Sequence, residues 1–435
     1  MDNYLLNLAN NQDRIKANGI YSVCSSNEYV LKASIIKAKK DGSFLLVEPT
    51  ANQVNQYGGY TGRTPQEFVD YITELGREVR FPIDKLILGG DHLGPNPWKS
   101  DPAEEAMEKS RELVRAYVKA GFTKIHLDTS IPCANDDVKP GVPMDDEIVA
   151  KRSAELCKIA EETFQETNHD SGKPVYIIGT EVPIPGGAEG SIHDIEVTSV
   201  ESAKKTIDIT KKAFLDKGLD DAWNRVIAQV VQPGVEFGNN DIVPYDPQEA
   251  ADLSSFIKSY DGMIFEAHST DYQTYSSLKG LVKDGFRILK VGPWLTFSFR
   301  EAIFALAHIE RELLSQDETI ELSNIRSVLE RVMVKNPESW EDHYEGDNEK
   351  LKYLRKYSYS DRSRYYWPNA SVKKAVEKLF KNLEDQNIPL PLLSQYLPSQ
   401  YQAIKKGDLN NNPNDIVLHK IQAVLGIYAH ATNQA

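Results

Sequence analysis

The sequence predicts an α/β protein built on a closed (β/α)8 barrel, and two observations carry that prediction. Eight short aliphatic or β-branched runs alternate with helical stretches between Gly19 and Pro293. Eight parallel strands in unbroken succession can close on themselves. Six of those runs end on an acid, a histidine or a glutamine: LLVEPT at Glu48, LILGGDH at Asp91 and His92, KIHLDTS at Asp128, YIIGTE at Glu181, VIAQVVQ at Gln232, and MIFEAH at Glu266 and His268. In a barrel, the C-terminal strand ends converge on one pocket, where the chemistry sits.

The strand windows are 20–24, 44–49, 86–91, 124–128, 175–181, 226–232, 262–268 and 287–292. Each is too short for a helix and nearly all apolar, as a strand buried on both faces must be. Between them, SDPAEEAMEKSRELVRAYVKAG reads as an amphipathic helix. Asp101 is placed as its N-cap, Pro102 as its first helical residue and Glu104 for a capping box; Gly121 ends it. No GxGxxG follows the first strand, which removes support for a dinucleotide-binding sheet. Beyond residue 315 the alternation stops. NIRSVLERVM and SVKKAVEKLFKNLEDQ carry helical periodicity, interrupted by YSYSDRSRYYWP. Two parts are expected: a barrel over 1–315 holding the site, and a helical extension over 316–435 packed on it, either over the mouth or as an oligomer contact.

The 435 residues carry a formal charge of −14 with no block of consecutive Lys or Arg. That argues against nucleic acid or an anionic membrane as partner, and leaves room for a small anionic substrate in a locally basic pocket. No apolar run approaches about 18 residues, and the N-terminus lacks the basic start and apolar stretch of a signal peptide. Cys24, Cys133 and Cys157 have no CxxC spacing. They read as reduced, buried thiols, with a cytoplasmic address expected.

His92, Glu181 and His268 stand at the ends of separate strands and form a candidate site for a borderline divalent metal, with Gln232 as a fourth ligand or a donor to substrate. Asp91, Asp128, Glu266 and Glu48 are the candidates for proton transfer. His126 shares a strand face with Asp128, one layer deeper, and reads as a packed structural histidine. Asn52 and Gln53, in NQVNQYGGYTG, suit a loop over a polyhydroxylated ligand, with Ser269 beside His268. Gly292, Thr296 and Ser298 open the helix after the last strand, a frequent phosphate seat in barrels.

SVCS, TANQVNQYGGYTG, LGGDHLGPN, GFTKIHLDTS, IGTEVPIPGG, VVQPGVEF, FEAHSTDYQT, LKVGP with TFSFREAIFALA, and SDRSRYYWP together resemble the Z-type subunit of tagatose-1,6-bisphosphate aldolase, a family also labelled tagatose 6-phosphate kinase. The resemblance covers essentially the whole chain. It implies a barrel related to the class II, metal-dependent aldolases and a place in galactitol, N-acetylgalactosamine or tagatose breakdown. Asp91 and His92 match the aldolases' acid/base and zinc ligand, and Glu181 and His268 match two further positions. Two departures are visible: HSTDYQ replaces the glycine-rich phosphate loop, and Gln232 stands where the aldolases have a histidine. Family members are described as non-catalytic partners of an aldolase subunit, while some relatives are metal-dependent 4-epimerases.

From the intact set of acids and ligands we expect a ketohexose 4-epimerase acting on D-fructose and D-tagatose, or their 6-phosphates. Its metal would be zinc first, with manganese, nickel or cobalt as alternatives, and it would assemble as a homo-oligomer. A non-catalytic subunit of a class II aldolase is the alternative. No GxxxxGK[ST] or kinase glycine-rich loop supports phosphotransfer.

Overall fold

The computed structural model describes residues 3–10, 17–139, 142–167, 172–180 and 195–435. Eight parallel strands close into a barrel: β1 Ile20–Val23, β2 Leu45–Val47, β3 Leu86–Leu93, β4 Lys124–Leu127, β5 Val175–Ile178, β6 Val226–Val231, β9 Ile264–Ala267 and β10 Phe286–Val291. Their order around the ring is β1-β10-β9-β6-β5-β4-β3-β2. All eight fall on the runs that the alternation picks out. A further antiparallel pair, β7 Glu236–Phe237 with β8 Ile242–Val243, interrupts the β6 to β9 connection. Two-residue strands leave no periodic signal, so the sequence does not announce them.

The two-residue period of a strand sorts its side chains between lumen and helices. Ile20, Leu46, Val175, Ile177, Ile264 and Ile288 join Leu5, Leu8 and Ala9 of the helix Tyr4–Asn10 in one apolar cluster, which fills the N-terminal end of the barrel. Two residues further along, the same strands turn Glu48, Glu266 and Lys290 into the lumen, where the two glutamates meet Lys124 and Glu48 also meets Lys290. The double glycine on β3 has a steric reason. A Cβ on Gly89 would come within 2.8 Å of the Glu48 side chain, and one on Gly90 within 2.7 Å of Tyr117.

The helix after β3 spans Ala103–Lys119, with Pro102 rather than Asp101 in the cap position and no side-chain cap. Asp101 binds Lys109 Nζ at 2.7 Å instead, and Asn135 Oδ1 accepts the Ala103 amide at 2.7 Å. A lysine two turns on outcompetes the cap, and a loop amide takes the cap's place.

After β10 only helices follow, starting with Pro293–Leu314. The last helix, Pro413–Ala431, packs against Glu28–Asp41, Tyr275–Lys283, Pro293–Leu314 and β1, and so takes a place in the outer ring. Its ten buried residues include Ile416, Ile421, Leu425 and Tyr428. Beyond it, Gln434 Oε1 accepts the Tyr21 amide and Thr432 O accepts the Gly19 amide, tying the chain's end to β1. No helix among the described residues is long and apolar enough to cross a membrane.

Candidate active site

At the C-terminal end of the lumen, Lys124 is fully buried between Glu48 Oε1 at 2.6 Å and Glu266 Oε2 at 2.7 Å. Lys290 reaches the other Glu48 oxygen and lies 3.0 Å from Asp91 Oδ1. Above this square three imidazoles gather. The ring centres of His92, His126 and His268 stand 5.1–5.3 Å apart. Asp128 accepts from His92 Nδ1 at 2.6 Å, His126 Nδ1 lies 2.9 Å from Asp91 Oδ1, and His268 Nε2 lies 3.0 Å from Glu266 Oε1. His92 holds a left-handed φ of 50°. For a residue with a Cβ that is a strained backbone, of the kind concentrated at functional sites.

These groups settle each other's protonation. Burial alone would push Asp91 up, but His92, Lys290 and His126 hold it well below the usual carboxylate range. Glu266 follows the same pattern: burial is overcome by Lys124, Lys290 and His268. Burial opposes charge on Lys290 too, yet Asp91, Glu48 and Glu266 keep it firmly protonated. On His92, burial is outweighed by Asp91 and Asp128, and the net shift is upward. His268 goes the other way: burial pushes it down to about 4, so its imidazole is neutral at pH 7.

The residues present fit a divalent cation. Ligand atoms of Asp91, His126, Glu266 and His268 all lie within 4.8 Å of one another. His126 Nδ1 faces both the Asp91 carboxylate and, at 3.1 Å, the His92 amide; one nitrogen cannot donate and accept at once. With Asp91 ionised, donation to the carboxylate prevails, and Nε2 keeps its lone pair. That Nε2 is buried and has no hydrogen-bond partner among the described residues. His92 has the arrangement in which a carboxylate fixes one ring nitrogen and leaves the other free to ligate. The four carboxyls of Glu48, Asp91, Asp128 and Glu266 share this buried layer with the amines of Lys124 and Lys290.

The cluster opens into a cleft of about 610 Å³ lined by Asn52, Gln53, Asp91, His92, His268, Ser269, Asp271, Lys290 and Gly292. The helical extension roofs it with Arg364 and Tyr365, whose ring meets Tyr60 at 4.7 Å between centres. Hairpin β7–β8 contributes Phe237. Its tip is clamped from the extension: Asn239 O accepts the Tyr359 amide, and Asn239 Oδ1 accepts the Ser358 and Ser360 hydroxyls.

Several candidates are placed elsewhere than the sequence suggests. Gln232 is spent on its own loop, where Oε1 accepts the Gly234 and Val235 amides. Gln53 lines the cleft, but its side chain braces Cys24 O, Ser26 and Thr50. At the helix after β10, Asp271 Oδ1 already takes the Gly292 and Trp294 amides at 3.0 and 2.8 Å. The Thr296 hydroxyl binds Asp361 and the Ser298 hydroxyl binds Leu295 O. The expected phosphate seat is thus filled by the chain's own carboxylates and carbonyls. Glu181 lies outside the described residues. The sequence reading missed Lys124, which opens one apolar strand, and Lys290, a lone charge inside another, and took His126 for packing when it stands with the other two histidines. The available signal was parity, since Lys124, His126 and Asp128 share one face of β4.

The family model of the D-tagatose-1,6-bisphosphate aldolase subunit GatZ/KbaZ-like proteins matches residues 5–433. The chain belongs to this family. A solved structure similar in overall form is a protein from Sinorhizobium meliloti 1021 described as a probable tagatose 6 phosphate kinase. It is 42% identical over 95% of this chain and 100% of its own, with a TM-score of 0.85. Fructuronate-tagaturonate epimerase UxaE of Cohnella laeviribosi matches 96% of this chain and 81% of its own at 11% identity and a TM-score of 0.49. Fructose-bisphosphate aldolase of Campylobacter jejuni matches 87% and 90% at 14% and 0.44. At those values neither of the last two likenesses bears on activity.

Proposed function

We propose that this GatZ/KbaZ-like chain is a divalent-metal-dependent ketohexose 4-epimerase, interconverting D-fructose and D-tagatose or their 6-phosphates. The observation that carries this reading is three convergent imidazoles set among four buried carboxylates, one imidazole neutral and one with an orphaned Nε2. Burying that many carboxylates together is costly for stability alone. His92, His126 and His268 would hold the cation, and Glu181 is kept as a further ligand. The cation would supply Lewis-acid polarisation of the ketose C2 carbonyl. Asp91, kept ionised by Lys290, accepts the C4 hydroxyl proton as the C3–C4 bond breaks. Lys290 offers a donor to the sugar hydroxyls, and Tyr60, Arg364 and Tyr365 exclude water from the cleft.

Incubation with a divalent metal and fructose or fructose 6-phosphate is expected to yield the tagatose epimer, and no epimer from either sugar would sink the reading. His268→Ala should lose metal and turnover together. Asp91→Asn should keep its metal and lose about 10²–10⁴-fold in rate, the usual worth of an acid–base group. Metal analysis beside rate measurement separates the two roles. Full occupancy in the first variant, or normal turnover in the second, would reverse the assignments.

A second reading is favoured by the family description itself, which names an aldolase subunit: the chain stabilises a separate class II aldolase. The melting temperature of such an aldolase, with and without this chain, tests it; an unchanged value counts against it. Phosphotransfer has no counterpart in the sequence, which lacks a phosphate-cradling glycine loop.

A further inference from the structure

Asp271 follows β9, which is separated from β3 by three strands in either direction around the closed ring. Its carboxyl is held at the start of the helix after β10, and it lines the same cleft as Asp91. Oδ1 of Asp271 holds the Gly292 and Trp294 amides, which leaves the second oxygen for the cleft. The groups around the two carboxyls differ. Asp91 touches Lys290 and His126 directly. Asp271 has Arg364 as its cationic neighbour, with Glu236, Tyr272 and Tyr428 as the other titratable groups around it and His268 and Lys290 on the cleft walls.

Inversion at C4 imposes a geometric demand. The aldehyde released by C3–C4 cleavage has to present its other face, which swings the C4 oxygen away from the group that took its proton. We propose that Asp271 is the second proton-transfer residue of the epimerase, protonating the C4 oxygen when the bond re-forms on the opposite face. This rests on the epimerase reading. In the first half, the C4 hydroxyl proton goes to Asp91, C4 becomes an aldehyde, and the C3–C4 electron pair moves into the C2–C3 enediolate. In the second half, that pair re-forms C3–C4 and the Asp271 proton passes to the C4 oxygen. One proton has then moved from Asp271 to Asp91, and solvent exchange restores both; the reverse reaction exchanges their roles. Burial pushes the Asp271 carboxyl up to about 6, which suits a group that has to hold a proton and then give it up.

Asp271→Asn tests it, because the amide oxygen still accepts both backbone amides and the fold is expected to survive, as an unchanged melting temperature would verify. Two readouts are compared with the metal-loaded native protein: incorporation of ¹³C-labelled glyceraldehyde, or its 3-phosphate, into the starting ketose, and formation of the C4 epimer. Bond cleavage and re-addition on the original face need Asp91 alone. Label exchange should therefore stay within a few-fold of native while epimer formation drops about 10²–10⁴-fold, and Asp271→Glu should restore part of it. Native epimer formation in Asp271→Asn overturns the assignment. So does loss of both readouts in a folded variant, which would make Asp271 a positioning residue. A native protein that neither exchanges nor epimerises overturns the epimerase reading, and this role with it.

Discussion

The two ends of the barrel lumen are made by the same strands and differ by one pleat. At the N-terminal end Leu46, Ile264 and Ile288 pack on Leu5 and Leu8; two residues later those strands present Glu48, Glu266 and Lys290. The lower end gains from removing apolar surface from water, about 25 cal/mol per Å². The upper end has to offset desolvation of charge with pairs of good geometry. A barrel thus keeps its stability and its chemistry on one set of strands, with the boundary set by a two-residue step.

Removing a cation from the upper end should give the largest stability loss. Lys124→Met leaves Glu48 and Glu266 facing each other without their shared ammonium, and about 3–5 kcal/mol of destabilisation is expected. Urea unfolding measures it, and a loss below 1 kcal/mol would mean that Lys290 alone satisfies both acids. Glu236, beside the cleft, should give an intermediate effect with a characteristic pH dependence. Burial raises its carboxyl from 4.5 to about 7, so the folded state binds the extra proton. Its stability contribution is full below pH 4.5 and is lost as pH rises through about 7, at most about 3.5 kcal/mol at roughly 1.4 kcal/mol per unit. Glu236→Gln should flatten the stability profile between those limits and melt higher than native at pH 8; parallel profiles would refute the shift. At the apolar end, Ile264→Val should cost only about 0.5–1.5 kcal/mol, with turnover per folded molecule unchanged. A large loss of activity there would mean that the two ends are mechanically coupled.

The barrel was legible because strand-length apolar runs with polar ends are a one-dimensional pattern, and parallel strands buried on both faces require it. Asp91, His92, Asp128, Glu266 and His268 were legible for the same reason. The depth of the polar layer was not: Lys124 opens its strand and looks like a turn residue, yet the neighbouring strands place it opposite Glu48 and Glu266. Nor could Gln232, Thr296 and Ser298 be discounted, since their hydroxyl and amide groups are free in a sequence and engaged only once the chain folds. The roof was half legible. SDRSRYYWP stood out for its composition, but only the fold brings Arg364 and Tyr365 above strands far earlier in the chain.

The closing of the ring by its last helix has a temporal consequence. The Tyr21 amide and the Gln434 side chain that accepts it are 413 positions apart, and Pro413–Ala431 covers ground beside β1 that was synthesised first. Chains are made from the N-terminus at about 5–20 residues per second, so β1 waits roughly 20–80 s at those rates for its outer cover. Contacts of such long range are slow to form. Until then the surface beneath Ile416, Ile421 and Leu425 lacks the apolar cover it has in the folded chain.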